Sequence, residues 1–305
     1  MDRQSKDFAA SLIIPYYQRA GTISRALESA ERSVHINEII IVDDELSSNS
    51  RMLLDNVCQH SDRVRIIQNV SQKGALAARV TGALAANNDL LVFLDSDDEV
   101  LPHGIAQCLQ ALFIHPDLVL AYGNICWGDS MLNVSNFLRL NGFGYLHVLK
   151  NLSLCPFSGL CVRKSLIAWE GLCRDLPAWQ DDEFVLTASR SGKIWFIDCV
   201  TAVMHDSGTG RISANKHSQL AGLRILLEKW GDEIQKNYGI FYLYLWKLRA
   251  VSITLKIFTA NLEKKKTLSG NTLEVVVLKF ALFTTSCLQG LLRRIFRVFY
   301  DRVYA

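Results

Sequence analysis

The sequence has 305 residues, half of them hydrophobic and 21% charged, a balance that excludes a disordered tail, a collagen-like repeat and a small disulfide scaffold. At roughly 150 residues per domain, this length predicts two units, or one large α/β domain with an appendage. The net charge of +3 conceals an asymmetry: residues 241–305 carry 11 Lys and Arg against 3 Asp and Glu, leaving 22 against 27 elsewhere, so a body near −5 bears a tail near +8 and nucleic acid is a disfavoured partner.

Residues 1–10 carry charges and no apolar segment, so no secretory signal or N-terminal anchor is expected and the expected compartment is the cytosol. Eight cysteines are scattered without a C-x-x-C pair, which fits free thiols in a reducing compartment. Apolar β-rich runs follow at 11–14, 38–42, 64–68, 90–94 and 118–122. Amphipathic patterns at 22–32, 51–60, 76–87 and 103–113 separate them and predict helices. The alternation predicts a parallel sheet, and continuous runs such as Ile39-Ile40-Ile41-Val42 predict helices on both of its faces. Residues 133–154 are polar and aromatic without a clear period and read as a lid or acceptor-side loop.

In open α/β sheets, ligands sit beyond the carboxyl ends of the strands. Asp43 and Asp44 follow the second predicted strand; Asp95, Ser96, Asp97 and Asp98 follow the fourth. In extended backbone, Asp95 and Asp97 point to one side and can converge on a hard cation such as Mg²⁺ or Mn²⁺. The plainer reading makes Asp97 or Asp98 the N-cap of the helix that begins near Pro102. Further on, Gln180-Asp181-Asp182-Glu183 opens a helix running to Ser191, followed by a strand at 193–197; acids there suit a helix N-terminus.

Several motifs stand in order: Leu12-Ile13-Ile14-Pro15-Tyr16-Tyr17, Val42-Asp43-Asp44, then Gly74, Ala75, Ala78, Arg79 and Gly82, then Phe93-Leu94-Asp95-Ser96-Asp97-Asp98. The series resembles the nucleotide-sugar half of the inverting family 2 glycosyltransferases, over roughly residues 10–213. That resemblance implies the GT-A fold, a Rossmann-like, mostly parallel sheet with helices on both faces, here with a C-terminal basic helical appendage. It further implies that Pro15 and Tyr16 flank the nucleoside, that Asp44 beside Asp43 hydrogen-bonds uracil or ribose, and that Arg79 lies near the nucleotide. Asp95 would meet the ribose or metal and Asp97 the metal. Val80 stands where the family usually has Asn, and Glu45 where it usually has Gly. The 180–192 run resembles the family's base motif, with Asp181 as the base and Asp182 as the competing choice. His205 and the residues to Arg211 resemble a terminal segment in which His completes the metal site and Arg211 reaches the pyrophosphate.

The expected reaction moves a hexose or N-acetylhexosamine from a UDP-sugar, with Mn²⁺ or Mg²⁺, to a polyprenyl-diphosphate-linked or other membrane-associated saccharide. A single displacement would make a β-linkage, in the manner of bacterial O-antigen and capsule enzymes. A nucleotide-sugar phosphohydrolase, a nucleotidyltransferase and a non-catalytic membrane scaffold are the alternatives. The uncharged stretch 280–292 is too short to span a bilayer. Leu288, Leu291, Leu292, Ile295 and Phe299 share one helical face, with Arg293, Arg294 and Arg297 opposite, and Lys264-Lys265-Lys266 lies upstream. This pattern predicts an interfacial helix on an anionic membrane surface, and a peripheral position on the inner face of the cell membrane. The expected division is 1–237 for the catalytic domain and 238–305 for the membrane-associating region.

Overall fold

The computed structural model describes residues 8–17, 20–44, 48–58, 61–69, 73–128, 139, 141–149, 155–205 and 215–264. Arg211 and the expected interfacial helix over 288–299 lie outside the described residues. The chain divides into two compact units: Met1–Val148 with Ser153–Leu176 and Gln180–Ser207, and Leu149–Leu152 with Pro177–Trp179 and Gly208–Ala305.

In the first unit the alternating pattern becomes β1 (Ala10–Tyr16), α1 (Ala20–Glu31), β2 (Ile36–Asp43), α2 (Ser48–Cys58), β3 (Val64–Gln68), α3 (Ala75–Ala85) and β4 (Leu90–Phe93). A two-residue β5 (Glu99–Val100), α4 (Pro102–Ile114) and the long β6 (Leu118–Trp127) follow. Within the stretch read as a loop, β7 (Asn141–Phe143) and α5 (Tyr145–Leu149) form; then come β8 (Leu160–Arg163), α6 (Gln180–Ser189) and β9 (Lys193–Met204). The strands make one sheet in the order β3-β2-β1-β4-β8-β6-β9-β5, with β7 also on β9. β1, β2, β3 and β4 pair in parallel, as do β6 and β9. β8 runs antiparallel between β4 and β6, and β5 and β7 run antiparallel to β9.

The core explains why these elements stay together. Ile23, Ala26, Leu27 and Ala30 of α1, and Ile105, Cys108, Leu109 and Leu112 of α4, repeat at the i, i+3, i+4, i+7 spacing that makes one apolar stripe. Both stripes pack in one cluster with Leu12, Ile14 and Val92. Every residue of β1 and β4 is buried, as a sheet covered on both faces requires. At the amino ends of the strands, Glu38 is 8% exposed and fully engaged. Ser11 Oγ donates to it, as do the Asn87 N–H at 2.9 Å, Asn87 Nδ2 at 2.7 Å and Arg65 Nη2 at 2.8 Å. Burial alone would raise this carboxyl; the donors outweigh it and hold Glu38 below its ordinary value.

The second unit contains α7 (Lys216–Lys264), broken at Gly239, whose φ of 80° is outside helical space. The expected division between 237 and 238 falls beside this break, while the longest segment of the second unit runs from Gly208. Among the described residues of this helix, Leu223, Leu226, Trp230 and Ile234 before the break and Leu243 and Trp246 after it are buried. Among the described residues, no helix is long and apolar enough to cross a membrane.

Candidate active site

The parallel strands β1, β2 and β4 deliver their carboxyl ends to one edge of the first unit, where the acids expected there are found. Pro15 and Tyr16 are the last two residues of β1 and are buried; Tyr17, 52% exposed, is the first residue to face outward. The Asp44 N–H donates to the Tyr16 carbonyl at 2.9 Å, which locks the end of β2 against β1. Asp43 is the last residue of β2 and wholly buried.

Asp44 is oriented from two sides. Its Oδ1 accepts Asn69 Nδ2 at 2.6 Å, and its Oδ2 accepts the Gly74 N–H at 2.9 Å. Gly74 is the N-cap of α3 at φ 135°, a conformation costly for any other residue, and has no side chain to cap the helix. The Asp44 carboxylate therefore serves as the anion at the start of α3. Thr81 Oγ1 donates to Asn69 Oδ1 at 3.0 Å and so fixes which end of the amide faces Asp44.

Arg79, on the buried face of α3, ion-pairs with Asp95 through Nη2. Its guanidinium lies 3.8 Å above the centre of the Phe157 ring. Phe157 is itself packed edge-on against Phe93 at 5.5 Å and tilted against Phe184 at 5.1 Å. Val80, where the family resemblance expects Asn, is buried apolar filling.

Carboxylate oxygens of Asp95, Asp97 and Asp98 come within 4.8 Å of one another. None of them caps α4: its N-cap is Leu101, without a side-chain bond, and Pro102 opens the helix with no N–H to satisfy. Asp98 is 2% exposed, accepting Ser158 Oγ at 2.5 Å and the His205 N–H at 3.1 Å. Burial first, then the charges of Asp95 and Asp97, raise its carboxyl to about 7 despite those bonds. Three hard oxygen donors with excess negative charge are the chemistry that a divalent cation satisfies, so the residues fit Mn²⁺ or Mg²⁺. His205 lies outside this group: its Nε2 is 2.8 Å from Glu99 Oε1, and its contribution to the acids is its backbone N–H. Of the three residues expected at a metal, Asp95 and Asp97 thus belong to the acidic cluster, while the His205 ring is engaged with Glu99.

The helix α6 begins at Gln180, whose Nε2 donates to the Leu176 carbonyl at 2.8 Å. Glu183 is completely buried and accepts the Cys173 N–H at 3.0 Å, a structural role. Asp182 is 7% exposed, whereas Asp181 is the less buried of the pair. Loss of water raises the Asp181 carboxyl to about 7; Arg79 opposes this, and Asp95 and Asp182 add to it. Sequence reasoning missed Asn69, Phe157 and Ser158. Ser158 lies 63 residues from Asp95, and a lone serine before a glycine carries no signal that could have singled it out.

Residues 11–159 match the family model described as Glycosyl transferase family 2. Over 147 residues the chain is 29% identical to the UDP-Glc:alpha-D-GlcNAc-diphosphoundecaprenol beta-1,3-glucosyltransferase WfgD of Escherichia coli, covering 48% of this chain and 56% of that protein. Over 102 residues it is 28% identical to the GalNAc(5)-diNAcBac-PP-undecaprenol beta-1,3-glucosyltransferase of Campylobacter jejuni, with 33% of each chain covered. The matches thus span from about a third to just over half of these curated relatives. Among solved structures, the mannosyltransferase PcManGT of Pyrobaculum calidifontis, in complex with GDP-Man and Mn²⁺, superposes with a TM-score of 0.58 at 14% identity, covering 93% of this chain and 84% of that one. TarS 1-349 of S. aureus in complex with UDP-GlcNAc gives 0.55 at 14% identity, with 82% of each covered. At these identities the likeness is one of fold, and that fold is GT-A.

Proposed function

We propose, for a chain whose residues 11–159 make it a member of Glycosyl transferase family 2, that it transfers a hexose or N-acetylhexosamine from a UDP-sugar to a lipid-diphosphate-linked saccharide, with inversion to a β-linkage. The observation that carries this reading is the convergence of Asp95, Asp97 and Asp98 at the carboxyl end of β4, beside Arg79. Asp95 and Asp97 would hold a divalent cation, which when bound would neutralise charge on a departing diphosphate. Asp44, presented by Asn69 and Gly74, accepts hydrogen bonds from the nucleoside. Arg79, braced between Asp95 and the Phe157 ring, keeps the Asp95 carboxylate facing the donor. Arg211 is the proposed phosphate contact from beyond the described residues.

Asp181 is the proposed base. A carboxyl at about 7 is half ionised near neutrality, strong enough to take a proton from a sugar hydroxyl as the bond to the anomeric carbon forms. The lipid-diphosphate acceptor is supported by the two undecaprenol-specific relatives, and by the tail charge near +8, which would draw the chain to an anionic inner membrane face. Incubation with labelled UDP-sugars, Mn²⁺ and a synthetic GlcNAc-diphosphate-lipid tests the reading. Lipid-extractable label is expected with one donor. Release of free sugar alone indicates a hydrolase, and no donor consumption indicates a scaffold; either result overturns the proposal.

A further inference from the structure

Asp95, Asp97 and Asp98 repel one another, and a turn carrying all three spreads unless neutral donors and acceptors hold it. One side chain from a distant segment does this on two counts. Ser158 Oγ donates to Asp98 Oδ2 at 2.5 Å and accepts the Asp95 N–H at 3.2 Å, so a single hydroxyl ties together the first and last residues of the turn. The Asp98 N–H closes the same turn onto the Asp95 carbonyl at 3.1 Å. Ser158 is 2% exposed, and water does not compete for these bonds.

The hydroxyl is also held from behind. On one side Phe157 is wedged among Phe93, Phe184 and the Arg79 guanidinium. On the other, the Gly159 N–H donates to the Phe93 carbonyl at 2.9 Å, and Gly159 adopts φ +81° where a Cβ would come within 2.6 Å of Thr201 Oγ1. Ser158 is therefore flanked by a side chain packed on Phe93 and a backbone N–H bonded to it, and Phe93 is the last residue of the strand that leads to the acids.

We propose that Ser158 is a positioning residue for the cation site: acting through Asp98, it sets the separation at which Asp95 and Asp97 present their carboxylates. Asp98, buried and accepting one bond on each oxygen, serves the turn, and Asp95 and Asp97 carry the ligation. The inference rests on the cation reading given above. Residues that orient metal ligands affect metal affinity by about 10- to 100-fold.

The test titrates Mn²⁺ into the full-length chain with UDP present, counts the free ion by electron paramagnetic resonance, and follows folding by thermal unfolding. Ser158→Ala is expected to raise the half-saturating Mn²⁺ concentration about tenfold or more, leaving UDP affinity at saturating Mn²⁺ nearly unchanged. Ser158→Cys fills the same space with a weaker donor and is expected to shift the midpoint in the same direction, which keeps the test open if the alanine variant fails to fold. Because Ser158 acts through Asp98, the double variant Ser158→Ala, Asp98→Asn is expected to be no worse than the poorer single one. Folded variants with the wild-type midpoint, or effects that multiply in the double variant, would overturn this inference alone. A wild-type chain that takes up no Mn²⁺ would overturn the cation reading as well.

Discussion

Two carboxylates that share a raised pKa have different fates in this site, and the difference lies in what surrounds each oxygen. Asp98 is enclosed by Ser158 and the His205 backbone, so its proton is a matter of folding; the charge of Asp181 is set by burial, Arg79 and neighbouring acids. Asp181→Asn is expected to lower kcat about 10²- to 10⁴-fold while calorimetry finds UDP binding intact. Near-normal turnover would move the base to Asp182. The pH profile provides a second check. A base raised to about 7 is lost as pH falls through that value, so kcat/KM should decline on the acid side with a midpoint near 7, and the residual activity of Asp181→Asn should lack that limb. Asp97→Ala should abolish the Mn²⁺ dependence of UDP binding measured by calorimetry, since Asp97 is one of the two proposed ligands.

Among elements, the sheet bears its polar load at opposite ends for opposite reasons. At the amino ends, Glu38 accepts from Ser11, Asn87 and Arg65 and joins β1, β2, β3 and the entry to β4. Glu38→Leu strands these buried donors and should cost about 1–3 kcal/mol in urea unfolding at neutral pH. The folded-state pKa of Glu38 lies below its unfolded value, so this stability is present above the unfolded pKa and is lost as pH falls through the folded one. The wild type should lose more stability than Glu38→Leu on acidification. At the carboxyl ends, Gly159→Ala combines a φ of +81° with a contact against Thr201 and should destabilise by about 1–3 kcal/mol, read as a lower midpoint of thermal unfolding. Elements of this kind were legible where local pattern decides them: β1 to β4 and α1 to α4 lie within a few residues of their expected positions, because buried strands read as unbroken apolar runs and the helices as clean stripes. The antiparallel β8 was not, since its four residues, Leu160–Arg163, are too few to show a period and its direction is set by pairing with β4 and β6. Asp44, Arg79 and the 95–98 acids were legible as motifs, whereas the Glu99 partner of His205 and the Ser158 hydroxyl arise from tertiary approach across 106 and 60 residues.

For the molecule as a whole, the separation of charge into an acidic body and a basic tail is the property with the widest reach. The full-length chain should sediment with vesicles containing an anionic lipid at low salt, remain in solution with zwitterionic vesicles, and be released by high salt, as expected for about 1 kcal/mol per basic residue near the surface. Binding that ignores lipid charge would remove the basis for a peripheral position. A further property of the whole follows from two backbone bonds in the first unit, the Gly128 N–H to the Met204 carbonyl at 2.8 Å and the Gly159 N–H to the Phe93 carbonyl at 2.9 Å. They clamp the polypeptide on either side of residues 129–158, on strands whose register is set elsewhere. A graft spliced between these clamps therefore has to retain Phe157 and Ser158, which hold Arg79 and Asp98, if the acidic turn is to keep its shape.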